Sequence, residues 1–160
     1  MNKFKLTAFS AMFISILSLV VVSCEKPLDI DENVFTKIGI PMNGSQMVPA
    51  VNTTATGTLD VLYVRGEHTL SYTINYNGLS GTPTGVLVYG PADAGFVSPA
   101  AALQTVTSGF SAGATGVYKG SLYVDNVYVR EVDLLNNKFY IVVKTAAFPA
   151  GQIRGQVDFR

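Results

Sequence analysis

The stretch His68-Thr69-Leu70-Ser71-Tyr72-Thr73-Ile74-Asn75-Tyr76 alternates polar and apolar residues without a fault. A period of two belongs to a β-strand with one face buried and the other wet, whereas a helix would scatter the same apolar residues around its whole circumference. Leu70, Tyr72, Ile74 and Tyr76 are therefore assigned to a core, and Thr69, Ser71, Thr73 and Asn75 to solvent. Residues 57–65 read as a second strand, and Gly66-Glu67 supplies the reversal of an antiparallel hairpin. Val86-Leu87-Val88-Tyr89 and Phe139-Tyr140-Ile141-Val142-Val143 are short unbroken apolar runs, which suit interior strands covered on both faces. Gln152-Ile153-Arg154-Gly155-Gln156-Val157-Asp158-Phe159 alternates again, with Ile153, Gly155, Val157 and Phe159 inward. With residues 35–40 and 117–124 the set comes to about seven antiparallel strands, the number expected of an all-β Greek-key sandwich. A chain without Trp, with few long charged side chains and much Gly, Thr, Val and Tyr fits that class.

Two connections are less regular. Residues 91–116 are rich in Gly, Ala, Ser and Pro, and within them residues 100–106 read as either a short strand or a helical turn. Arg130-Glu131-Val132-Asp133-Leu134-Leu135 has the apolar spacing of a turn or two of helix, ended by Asn136-Asn137.

Ahead of the domain, Lys3 and Lys5 precede an apolar run over residues 6–22 and then Ser23-Cys24, the layout of a secretory signal peptide. The competing reading, an uncleaved membrane helix, is disfavoured because the run is short for a hydrocarbon core of about 30 Å and is interrupted by Thr7, Ser10, Ser15 and Ser18. Val21-Val22-Ser23-Cys24 resembles the lipobox of bacterial lipoproteins. That resemblance implies cleavage between Ser23 and Cys24 and lipid attachment at Cys24, with two anchoring groups for a stable hold on the membrane. Cys24 is the only cysteine, so no intramolecular disulfide can form. The expected organisation is a lipoprotein signal peptide over 1–23, a flexible tether over 24–34 and one domain over 35–160. Glu25-Lys26-Pro27-Leu28-Asp29-Ile30-Asp31-Glu32-Asn33 reads as a solvated linker. It also resembles the acidic cluster that sends some Bacteroidetes-type lipoproteins to the outer face of the outer membrane. The expected location is thus the cell envelope, at the outer membrane, with periplasmic and surface-facing placement both open. Loss of Lys3 and Lys5 leaves nine basic residues against eleven acidic ones, which gives nucleic acid no electrostatic footprint.

Gln46-Met47-Val48-Pro49, Ala55-Thr56-Gly57, Gly78-Leu79, Gly90-Pro91-Ala92 and Phe148-Pro149-Ala150-Gly151-Gln152-Ile153-Arg154-Gly155-Gln156 resemble, in this order, the signatures of the chordin-type CHRD domain. The resemblance covers residues 38–159. It implies an immunoglobulin-like sandwich and a family without a settled activity in bacteria. Gln46, Pro49, Gly57, Gly90, Pro91, Phe148, Pro149, Gly151, Arg154, Gly155 and Gln156 are the motif positions, expected to serve structure. Where family members carry a His-x-His ahead of Gly-Pro-Ala, this chain has Leu87 and Tyr89, and the later family pair is Val142 and Lys144. A Gly-Leu turn leading to a His-x-His strand is also similar to Cu/Zn superoxide dismutase. Copper or zinc in such a site needs several imidazoles, and this chain has one histidine, His68, expected on an exposed hairpin. No metal and no cofactor are expected.

Catalytic arrangements are equally sparse. His68 has no Gly-x-Ser-x-Gly or similar nucleophile near it. The spacing of Asp60, Asp93, Asp125, Glu131, Asp133 and Asp158 pairs no two carboxylates for acid and base work. Arg154 is expected to tie neighbouring backbone or a carboxylate. Tyr118, Tyr123 and Tyr128 form an aromatic row of the kind that binds sugars or proteins. The chain is therefore read as a non-catalytic binding or structural module, anchored to the membrane through Cys24, with an envelope protein or glycan as partner and residues 91–116 as its surface. An enzyme descended from a metal-bearing sandwich and using carboxylates is one alternative, and a glycan-binding accessory lipoprotein is another.

Overall fold

The computed structural model describes residues 32–160, so the expected signal peptide, Cys24 and most of the tether lie outside the described residues. Strands β2 (Thr56–Val64) and β3 (Thr69–Asn77) pair along their whole length, from Thr56 opposite Asn77 to Val64 opposite Thr69. Leu70, Tyr72, Ile74 and Tyr76 are buried, and Tyr63, Val61 and Leu59 stand opposite the first three of them in the same core. The reversal between the strands is a 3-10 turn over Arg65–Glu67, closed by His68 at φ 50°. His is one of the few side chains enriched in that left-handed region, so His68 is an exposed turn residue.

Strands β1 (Val34–Asn43), β4 (Pro83–Tyr89), β5 (Gln104–Val106), β6 (Gly116–Tyr123), β7 (Tyr140–Thr145) and β8 (Ile153–Gln156) complete one antiparallel sheet in the order β5-β4-β7-β8-β1-β2-β3-β6. The single α-helix among the described residues, α1 (Glu131–Leu135), occupies the place expected for it. β1, β2 and β3 follow one another, and β8 returns beside β1 after a long excursion, which is Greek-key connectivity.

Eight strands stand where the periodicity suggested about seven. The additional one is β5, which decides residues 100–106 partly in favour of strand. The two halves of the sandwich are one continuous sheet because Asn43 of β1 bridges Arg154 of β8. That sheet curls so that Leu59 and Ile74 from one half meet Val88, Ile141 and Ile153 from the other in a common core. Across the remaining seam, Gln104 of β5 accepts a hydrogen bond from the Tyr72 hydroxyl at 2.7 Å and donates one to the Ser121 carbonyl of β6 at 2.7 Å. A side chain thus links two edges that backbone pairing leaves open.

β7 is buried on both faces, as its unbroken apolar run requires. Ile141 and Val143 point into the common core, while Tyr140 and Val142 form a second cluster with Met47 on the outer face. That outer face is roofed by the loops around Met47 and Ala92.

Candidate functional site

The outer face of the sheet ends in three polar side chains that alternation places side by side, Gln152, Arg154 and Gln156. Gln152 and Arg154 are each only 2% exposed. Polar groups buried to that extent must find partners. The Gln152 side-chain carbonyl accepts from the Ser80 backbone N–H, the Ser80 hydroxyl and the Thr145 hydroxyl, each at 3.0 Å, and its amide donates to the Thr53 hydroxyl at 3.0 Å. Arg154 donates to the Phe96 carbonyl and to the Gln156 side-chain carbonyl, both at 2.8 Å, with its guanidinium carbon 3.6 Å from the centre of the Tyr140 ring. Burial pushes its pKa below the ordinary value. Gln156 donates to the Ala92 carbonyl at 3.0 Å and to the Asn137 carbonyl at 2.7 Å.

Gln152 ties the loops around Thr53 and Ser80 to Thr145, whereas Arg154 and Gln156, together with Tyr140, fix residues 90–98. The Tyr140 hydroxyl accepts from the Ser98 N–H at 3.1 Å, and the Ser98 hydroxyl donates to the Gly90 carbonyl at 3.2 Å. The glycines of the motif make room for this packing. A Cβ on Gly90 would lie 2.2 Å from the Phe139 ring, and Gly151, at φ 131°, has Val142 2.4 Å from where its Cβ would be. Gly57 and Gly155 are also closely approached, by the Asn75 carbonyl at 2.7 Å and by Met42 at 2.6 Å. Gln46 donates to the Pro41 carbonyl at 2.8 Å, and Phe148 closes the turn after β7 through mutual backbone hydrogen bonds with Thr145. Pro49, Pro91 and Pro149 sit exposed in loops.

In the register of β4 and β7, Leu87 stands opposite Val142, Tyr89 opposite Tyr140 and Gly85 opposite Lys144. Leu87, Tyr89 and Val142 therefore share the outer face, and Tyr89 stacks on Tyr140 with ring centres 5.2 Å apart. The places where the resemblance puts histidines lie on neighbouring positions of β4 and β7, and in this chain they are filled by Leu87, Tyr89 and Lys144.

A family model described as the CHRD domain matches residues 38–157. The chain belongs to the CHRD-domain family. No curated protein and no solved structure matches it.

The loop that the CHRD motif residues Arg154 and Gln156 hydrogen-bond forms one wall of a groove of about 600 Å³. Gly90, Pro91 and Ala100, Ala101, Ala102 and Leu103 line one side, and Leu122, Tyr123, Asp125, Tyr128 and Val129 the other. Tyr128 is 80% exposed and Tyr123 63%. Beneath them the Asp125 carboxylate accepts from the backbone N–H groups of Val127, Tyr128 and Val129, each at 2.9 Å. Those donors, Val129 first, hold its pKa below the ordinary carboxylate value. Tyr123 also meets the His68 ring edge-on at 6.2 Å.

The expected tyrosine row divides. Tyr118 lies an odd number of residues from Tyr123 and so points to the opposite face, where it packs on Tyr72 and Phe110. The long connection divides as well. Its first part lines the groove, while Gly113 and Ala114 are bonded to Thr82 and Leu79 by the turn between β3 and β4, at the other end of β6.

The carboxylates take separate structural posts. Asp60 accepts from the Gly39 N–H at 2.7 Å, Glu131 from the Tyr63 hydroxyl at 2.9 Å and from Arg65 at 2.7 Å, and Asp133 from Arg130 at 2.7 Å. Asp93 pairs with Lys138, and Asp158 with Arg160 at 3.2 Å. Among the described residues no three His, Cys, Asp or Glu side chains gather in a way that would hold a metal ion.

Proposed function

We propose that the protein is a lipid-anchored component of the cell envelope whose CHRD domain works as a non-catalytic binding module, engaging an envelope protein or glycan through the Tyr123–Tyr128 groove. The observation that carries this reading is the exposure of two tyrosines above a groove whose walls are both pinned by hydrogen bonds. Exposed aromatic surface of this kind marks interaction sites on soluble domains. Tyrosine offers a large apolar body with a polar tip, and a loop already held by Asp125 loses little freedom when a partner docks. The lipobox-like Val21-Val22-Ser23-Cys24 supports the anchor, and the polar stretch behind Cys24 gives the domain reach from the membrane.

The reading is tested by capture from solubilised envelopes with wild-type protein and with the Tyr123→Ala/Tyr128→Ala pair, alongside fatty-acid labelling of wild type and Cys24→Ser. The paired variant is expected to keep its melting temperature, since both side chains are exposed, and to lose the captured partner. Cys24→Ser is expected to lose the label. A partner retained by the paired variant moves the binding surface elsewhere, and a label retained by Cys24→Ser removes the anchor.

A further inference from the structure

The groove leaves one buried charge unaccounted for. Arg154 is 2% exposed, and both acceptors it reaches, the Phe96 carbonyl and the Gln156 side chain, are neutral. The four ion pairs among the described residues belong to Arg65, Arg130, Lys138 and Arg160, so none supplies Arg154 with a carboxylate. A buried cation is costly unless an opposite charge stands beside it, and the Tyr140 ring compensates only in part.

Two of the five guanidinium N–H donors are used in these bonds, and the free ones include Nε–H. No hydrogen bond is made by the Arg154 Nε–H within the described residues, and no fully buried side-chain nitrogen or oxygen there lacks a partner. Nε is therefore not sealed off. Arg154 lines a cavity of about 120 Å³ whose other walls include Met47, Val48, Val97, Val142 and Ala150. This cavity shares no lining residue with the tyrosine groove.

We propose that Arg154 and this cavity form a binding pocket for a carboxylate that carries a short apolar tail. A carboxylate is the anion that one guanidinium edge satisfies, through a charge-assisted hydrogen bond. A phosphate dianion needs more donors than one guanidinium edge offers, and Met47, Val97 and Val142, which share the lining with the Tyr89 and Tyr140 rings, supply none. The same apolar walls suit a hydrocarbon tail, and the volume limits that tail to a few carbons. A free short-chain acid and the C-terminal carboxylate of a peptide ending in a small apolar residue present the same chemistry.

The test follows the methyl resonance of Met47, with Met42 in the core as an internal control, in full-length protein labelled at methionine methyls. The probes are sodium butyrate, sodium chloride at matched ionic strength, and an acetylated dipeptide ending in valine as free acid and as amide. Either acid is expected to shift Met47 saturably, with affinity in roughly the millimolar range, while chloride and the amide leave it in place. Ala150→Leu, which fills the cavity from an exposed position and leaves Arg154 untouched, is expected to keep the melting temperature and weaken binding by about tenfold or more. Butyrate binding tighter than the peptide acid identifies a free acid as the ligand, and the reverse order identifies a chain terminus. The proposal is overturned if neither acid gives a saturable shift, if chloride or the amide acts like the acids, or if Ala150→Leu binds as the wild type does.

Discussion

Gln152 holds more of this molecule together than an uncharged residue at the head of a short strand usually does. Its four hydrogen bonds reach Thr53, Ser80 and Thr145, and replacing it with Ala takes this acceptor from the buried Thr145 hydroxyl and from the Ser80 N–H. Gln152→Ala is expected to cost about 1–3 kcal/mol in urea melts, the usual penalty for stranded buried polar groups. Ile141→Ala, inside the common core, is expected to cost about 2–5 kcal/mol. Thr73→Ala, on the wet face of β3, should cost less than about 0.5 kcal/mol. Equal losses for all three would contradict the assignment of faces. The outward and inward sides of Thr73 and Ile74 were legible because side-chain direction follows a local period, and the burial of Ile141 because it lies in an unbroken apolar run. The role of Gln152 was not, because its partners at 53 and 80 lie 99 and 72 residues away along the chain. Arg154 stands between these cases. Its ties to nearby backbone follow from its strand face, but its lack of a carboxylate depends on which loop the fold lays over it.

The loop from Asp125 to Val129 and the short strand β5 decide the shape of the groove, and both were poorly marked in the sequence. Residues 91–116 read as one excursion because a strand of three residues, Gln104–Val106, shows no measurable alternation. Its pairing with β4 sets it, joined by the seam bonds of Gln104 to Tyr72 of β3 and Ser121 of β6, and all of these partners are distant in sequence. Asp125 illustrates local chemistry of a plainer kind, an aspartate folding its own turn. Its pKa in the folded protein lies below the ordinary 3.8 because the folded loop hydrogen-bonds the charged form. The stabilisation is therefore complete above that ordinary value and is lost as pH falls through the lower folded one. The backbone resonances of Val127, Tyr128 and Val129 are expected to stay constant from neutral pH down to about pH 4 and to move only in stronger acid. A transition centred above about pH 4 would show that Asp125 does not hold the loop.

At the scale of the whole molecule, the sheet buries several tyrosines whose hydroxyls must stay protonated. Burial, with the Glu131 hydrogen bond second, pushes the Tyr63 pKa from 10.0 to about 12, and burial raises those of Tyr72 and Tyr89 as well. Above pH 10 the unfolded chain releases these protons while the folded one keeps them, so stability declines as pH rises. The midpoint of urea unfolding is expected to be flat up to about pH 10 and to fall between about pH 10 and pH 12, less steeply in Tyr63→Phe. An unchanged slope in that variant would contradict the assignment. The strand class, the main hairpin and the family motif were legible at this scale because periodicity and order along the chain survive without three-dimensional context. The groove was not, since it joins Pro91 to Tyr128 across the fold. The most direct measurement of the central claim, a scaffold that presents the Tyr123–Tyr128 groove to an envelope partner, is site-specific photocrosslinking in intact cells. The crosslinker is placed at position 128 in one strain and at position 112, near the other end of β6, in a second. The account predicts a discrete adduct from position 128 and none from position 112; an adduct from position 112 alone, or from neither, contradicts it.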